Sequence, residues 1–171
     1  MAFSLKKQSA KVAHVNLREE KHGDEPVLAC DVEVTADVPN TFLSQLSPTL
    51  KASLYQAEGA QVGAQTPLID DGTHLPVLLY PQLGRIAWEL KMPAAHVVLH
   101  GARKSEDVVL VADVNKLRLS PKEGGTVEIQ FRCQFPPVPE QVGAVGAMLG
   151  RTVKVSVKPN DAPDSPPDSE E

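Results

Sequence analysis

From Val127 to Phe135 every second residue is apolar: Val127, Ile129, Phe131, Cys133 and Phe135 alternate with Glu128, Gln130, Arg132 and Gln134. A period of two gathers the apolar side chains on one face of an extended strand, whereas a helix would scatter them. The same period returns along the chain. Ala13, Val15 and Leu17 alternate with His14, Asn16 and Arg18. Leu28, Cys30, Val32 and Val34 alternate with Ala29, Asp31, Glu33 and Thr35, and Ile86, Trp88, Leu90 and Met92 with Arg85, Ala87, Glu89 and Lys91. Leu117 and Leu119 alternate with Lys116 and Arg118, and Val153, Val155 and Val157 with Lys154, Ser156 and Lys158. Residues 77–80, 96–100 and 108–114 are also expected as strands. A chain patterned this way folds mostly into antiparallel sheet with one face wet.

The punctuation fits hairpins. Residues 19–25 form a charged turn around Gly23, residues 101–107 a polar turn, and residues 121–125 a Pro/Gly turn. Two short helices are expected. Ser47-Pro48 reads as an N-cap followed by proline at the first helical position, opening a helix to about Gln56 that turns Leu50, Leu54 and Tyr55 inward. Residues 41–46 offer a further turn or two of helix. Residues 140–149 form the second helix, with Gly150 as its C′ residue. Residues 1–11, polar and basic, are expected as an arm or edge. Residues 57–76 are irregular and long for a structureless loop in a compact domain. The predicted fold is one α+β domain over residues 1–158, dominated by antiparallel strands, with a disordered acidic tail over residues 159–171.

The first and last blocks also resemble each other. Leu28, Cys30, Val32 and Val34 match Ile129, Phe131, Cys133 and Phe135 at an offset of 101. Val15 and Leu17 match Leu117 and Leu119 at an offset of 102, and Ser53-Leu54-Tyr55 falls near Lys154-Val155-Ser156. Strand–turn–strand–Pro–helix occurs twice, which predicts a pseudo-twofold pair of ββα units flanking a central set of strands.

Charge sharpens the picture. The chain carries 17 Lys and Arg against 22 Asp and Glu, a net charge of −5. Five of the acids (Asp161, Asp164, Asp168, Glu170 and Glu171) lie in residues 159–171, which hold no base. Residues 1–158 are therefore balanced at 17 against 17. That excludes a histone-like basic binder and a uniformly acidic surface alike. Aromatic residues make up only 4%, so valine and leucine must fill the core. Cys30 and Cys133 fall on inward faces and read as small core hydrophobes, not a disulfide framework. The N-terminus lacks the apolar region of a signal peptide, and the longest strongly apolar runs, such as Val77-Leu78-Leu79-Tyr80, are far too short to span a membrane. A reduced, cytoplasmic protein is expected.

No catalytic motif stands out: there is no phosphate-binding P-loop, G-x-S-x-G, C-x-x-C or H-E-x-x-H. Gly143-Ala144-Val145-Gly146 lacks the preceding strand and the lysine of a phosphate loop and reads as small-residue helix packing. His96 and His100 have the i,i+4 spacing that chelates a metal on a helix, but their context is extended, which places them roughly 13 Å apart. Asp70-Asp71-Gly72 is turn chemistry before it is a carboxylate pair. No enzyme activity, cofactor or metal is expected.

Two segments are basic and free of acids: residues 1–18, with Lys6, Lys7, Lys11 and Arg18, and residues 141–158, with Arg151, Lys154 and Lys158. Brought together, they would make a phosphate-binding groove beside a detached acidic tail, a layout used to bind single-stranded DNA with the tail as competitor and as recruiter of replication proteins. Against this reading, stacking platforms need exposed aromatic residues; only Trp88, Tyr80, Tyr55 and Phe3 are available, and Trp88 alternates with core residues.

The opening MAFSLKKQSAKVAHVNLREEKHGDEPVLACDVEVTADVPN resembles the start of small uncharacterised proteins encoded by tailed bacteriophages and prophages. The resemblance is strongest in Lys11-Val12-Ala13-His14-Val15-Asn16 and Glu19-Glu20-Lys21-His22-Gly23, and runs more loosely through the Gly124-Gly125 hairpin. It implies a bacterial host cytoplasm and a replication or recombination accessory, or a counter to host defence. The expectation is a non-enzymatic phage accessory that binds single-stranded DNA, with phage or host replication proteins as further partners, no membrane, and self-association open. The alternatives are a protein-interaction module, such as a virion component or an inhibitor of a host defence protein, and a nucleotide-binding sponge with residues 57–76 as its lid.

Overall fold

The computed structural model describes residues 2–60 and 72–160. Its strands in chain order are β1 (Leu5–His22), β2 (Glu25–Pro39), β3 (Tyr55–Gln56), β4 (Val77–Leu78), β5 (Ile86–His100), β6 (Val108–Lys122), β7 (Thr126–Phe135) and β8 (Thr152–Lys158). Six of them close into a barrel, β1-β2-β7-β6-β5-β8, with every neighbouring pair antiparallel. β3 and β4 pair as a separate two-stranded sheet. The mostly antiparallel α+β fold read from the alternation is therefore present, and closure of the sheet is the feature the alternation does not announce.

The inward residues of the alternating strands are the core. Val32, Val34, Val97, Leu99, Leu119, Ile129, Phe131 and Val155 are fully buried. Cys30 and Cys133 are buried free thiols, as expected. Burial pushes Cys133 up to about 12 and also raises Cys30, so both remain thiols at neutral pH. With so narrow a barrel filled by side chains, binding chemistry belongs to its outer wall.

Closing six strands demands bends, and β-bulges supply them. Register breaks fall between Leu5 and Gln8 in β1, Met92 and Ala95 in β5, and Asn115 and Arg118 in β6. Lys7, Ala94 and Lys116, the non-glycine residues at positive φ among the described residues (45°, 49° and 52°), sit at these three breaks.

Several expectations need correction. Residues 2–11 are not an arm. Phe3 is 1% exposed, set edge-on against Phe42 and Phe131 with ring centroids 5.3 and 5.4 Å away, and β1 begins two residues later. Among the described residues the short α-helices are α1 (Leu43–Leu46), within the stretch that offered a further turn or two, α2 (Leu50–Leu54) and α3 (Pro139–Met148). Ser47 is extended, which separates α1 from α2. Leu28 has an inward position but is 49% exposed, because the β1–β2 hairpin runs on past the end of β7, whose pairing with β2 stops at Cys30.

The pseudo-twofold expectation is met in topology and not in detail. The ring reads β8-β1-β2 and then, in reverse chain order, β7-β6-β5. Val32 stands opposite Cys133, its match at offset 101. The two hairpins therefore pair directly through β2 and β7; they do not flank a central set of strands. Ser53 and Leu54 lie in α2 while Lys154, Val155 and Ser156 lie in β8, so that part of the match has no structural counterpart. The tail from residue 161 and loop residues 61–71 lie outside the described residues.

The helices close the barrel ends. Tyr55, after α2, is fully buried; its hydroxyl lies 2.8 Å from the carbonyl oxygen of Lys122 and 3.0 Å from that of Thr126, and accepts from Lys122 N–H at 3.0 Å. This fastens the β6–β7 turn. At the other end α3 buries Val145, Gln141 Nε2 donates to the Val109 carbonyl at 3.1 Å, and Gly150 N–H donates to the Val12 carbonyl at 2.8 Å.

Candidate nucleic-acid interface

The two acid-free basic segments are neighbours, because β1 and β8 pair. Ser9 stands opposite Lys154, Lys11 opposite Thr152 and Leu5 opposite Val157. Alternation along β8 turns Val155 and Val157 inward and Thr152, Lys154 and Lys158 outward. Lys6 and Lys7 occupy the β1 bulge, and Arg151 sits just before β8, accepting Val12 N–H at its carbonyl. All six of these cationic side chains are exposed. On the far side of β8, His96 stands opposite Lys158 and His100 opposite Lys154, extending the same face onto β5.

Arg18, the seventh expected contact, is not part of this face. It lies on β1 beyond the residues that pair with β8, and its Nε donates to Asp31 Oδ2 at 2.8 Å while Nη1 meets Glu20. Asp31 sits outward on β2 yet is only 7% exposed. Burial works to raise its carboxyl, but hydrogen bonds from Arg18 and Gln134 and the charges of Arg18 and Arg132 outweigh it and hold Asp31 below the ordinary carboxylate range. Arg18 therefore neutralises a buried acid and is not available to a phosphate. The chain of contacts goes on: Asn115 Nδ2 donates to Gln134 Oε1 at 2.8 Å, and Arg132 Nε donates to Asn115 Oδ1 at 3.0 Å.

A cluster without any sequence motif lies on the same face. His100 Nε2 and Ser156 Oγ are 2.8 Å apart, and His100 Nδ1 and Asp107 Oδ2 are 3.3 Å apart. The order is that of a hydrolase triad. Here the Ser156 hydroxyl also accepts Lys7 N–H at 3.0 Å, and Asp107 Oδ1 accepts Gly101 N–H at 3.0 Å. The cluster ties β1, β8, β5 and the following turn together, and holds the strands that carry the cations. No local spacing could have revealed it, since Lys7 and Ser156 are 149 residues apart.

Beside it runs a groove of about 600 Å³ whose lining includes Ser9, His100, Glu106, Arg151, Thr152 and Lys154. Glu106 is the one carboxylate among the lining residues. His96 and His100 lie on one strand, as their context predicts, and no group of three metal-ligating side chains occurs among the described residues. Asp70 and Asp71 fall outside the described residues. Gly143 to Gly146 lie within α3, but both glycines are exposed with nothing within 4 Å of a Cβ position, so the small-residue packing expected of them is not seen.

No helix among the described residues is long and apolar enough to cross a membrane. No protein-family model, curated protein or solved structure matches the chain.

Proposed function

We propose that this chain is a non-enzymatic phage accessory protein that binds single-stranded DNA on the outer face of β1 and β8, in replication or recombination, with its acidic C-terminal residues as an internal competitor. The observation that supports this most is the β1–β8 pairing, which joins two acid-free segments from opposite ends of the sequence into one face carrying Lys6, Lys7, Lys11, Arg151, Lys154 and Lys158. Residues 1–158 are neutral overall, so the attraction comes from local clusters of cations and not from the charge of the whole domain, which suits one backbone better than a duplex.

An electrophoretic shift with an unstructured oligonucleotide tests the reading. Binding should appear at low salt, and six phosphate contacts would give a slope of log K against log salt of about −4. Deleting residues 159–171 should tighten it. No shift at low salt for either the full-length or the shortened protein overturns the proposal.

A second reading, a protein-interaction module, is favoured by Val109 and Val111, exposed on the outer face of β6, with Val138 and Leu149 also exposed around α3. It predicts a stable oligomer or host-protein complex that is indifferent to nucleic acid. The loop that a nucleotide sponge would use as a lid lies mostly outside the described residues.

A further inference from the structure

We propose that the groove at the facing bulges of β5 and β6 is a second contact for the same strand, in which Trp88 stacks on a base and Lys91, Lys116, Arg118 and Arg132 meet the adjoining phosphates. This rests on the single-strand reading and extends it to a part of the barrel that the basic termini do not reach.

The pairing of β5 with β6 skips from Trp88↔Leu117 to Lys91↔Asn115, and β6 skips against β7 from Asn115↔Arg132 to Arg118↔Gln130. Both skips surround Lys116, held at φ 52°. The wall opens there into a groove of about 750 Å³ lined by Trp88, Lys91, Lys116, Arg118 and Arg132, with Glu89 as the carboxylate among its lining residues. That volume is larger than a bare anion needs and lies within the range of small-ligand pockets, roughly 300–1,000 Å³. A cationic groove with an aromatic side chain is the chemistry that holds single strands without reading sequence. Trp88 is half-buried against the core, which fixes its ring in place. Arg132 is positioned by Asn115, at the end of the contact chain that begins at Asp31.

The groove and the basic face share strand β5, with the Met92/Ala95 bulge and the Asp113 carboxylate that accepts Ala94 N–H between them. His96 stands opposite Lys158, where β8 ends, and Lys91 comes five residues earlier on β5; across the bulge this matches the four residues from Val111 to Asn115 of β6, about 13 Å at the rise of a strand. A strand following Lys154 and Lys158 would meet Lys91 next and then the groove.

Trp88 is the only tryptophan in the chain, so its fluorescence reports on this groove alone. Full-length protein is titrated with oligo-dT carrying a dye, and dye anisotropy and Trp88 emission are read together. The expected result is quenching that tracks the anisotropy isotherm, with a Lys116→Ala/Arg118→Ala double variant losing about tenfold in affinity and most of the quench. Trp88→Phe should weaken binding by several-fold, since the smaller ring offers less area for a base to stack on. If anisotropy reports binding while Trp88 emission and the double variant are unchanged, the groove proposal fails and the β1–β8 reading stands. If dTMP alone quenches as well as the oligonucleotide, the groove is a mononucleotide site and the strand path is wrong. Absence of any anisotropy change overturns both.

Discussion

Arg18 shows how a single partner redirects a side chain. Its guanidinium is committed to Asp31, and Asp31 ionises more readily in the folded protein than in the unfolded chain. The stabilisation is complete above the ordinary value of 3.8 and is lost as pH falls through the lower folded value. Arg18→Ala should therefore lower stability at neutral pH and move the onset of acid unfolding to higher pH. Denaturant melts at pH 7 and pH 3 check both; an unmoved acid limb would mean that Asp31 owes nothing to Arg18. Ser156 allows a comparable test. As a cross-strand tie, Ser156→Ala should lower stability by about 1 kcal/mol, and a fluorophosphonate probe should leave the native protein unlabelled. Labelling that vanishes in Ser156→Ala and His100→Ala would instead make the Asp107–His100–Ser156 cluster a hydrolase centre.

At the scale of elements, the bulges decide where the barrel bends and where its wall opens. Ala94 adopts a left-handed backbone that L-residues with a Cβ disfavour, and its N–H is fixed by Asp113 Oδ1 at 2.9 Å. Ala94→Gly should raise stability by about 0.5–1 kcal/mol, although glycine usually weakens strands. A loss measured by thermal unfolding would show that the bulge is not strained. The elements differ in how well the sequence foretells them. The β7 alternation gives the strand, its inward face and its buried Cys133 directly, because period two is a local signal. The extent of β5 is harder to read, since Pro93 and the kink at Ala94 break the alternation in mid-strand while pairing with β6 carries on across the break. Phe3 is missed for a related reason: its burial comes from Phe42 and Phe131, residues far away in the chain. In the candidate interface, the cations and the absence of acids are visible in the sequence. The removal of Arg18, the His100 cluster and the groove by Trp88 all follow from long-range register.

At the scale of the whole molecule, one pairing does most to define the protein. β8 is the seven-residue stave between β1 and β5, and without it both of those strands present unpaired edges. Truncation after Arg151 should abolish cooperative unfolding and near-ultraviolet circular dichroism, whereas truncation after Lys158 should leave the melting temperature unchanged. A stable fold after the first truncation would show that closure is dispensable. The same pairing has a consequence for the cell that makes the protein. Lys7 and Ser156 meet across 149 residues, and a ribosome adding roughly 5–20 residues per second takes about 7–30 s to supply the second after the first. Throughout that interval the emerging chain has half of its cationic strip and no partner strand to complete it. If the proposed strip does capture nucleic acid, that capture is reserved for molecules in which β8 has been made, and a product terminated before β8 would not compete for the strand.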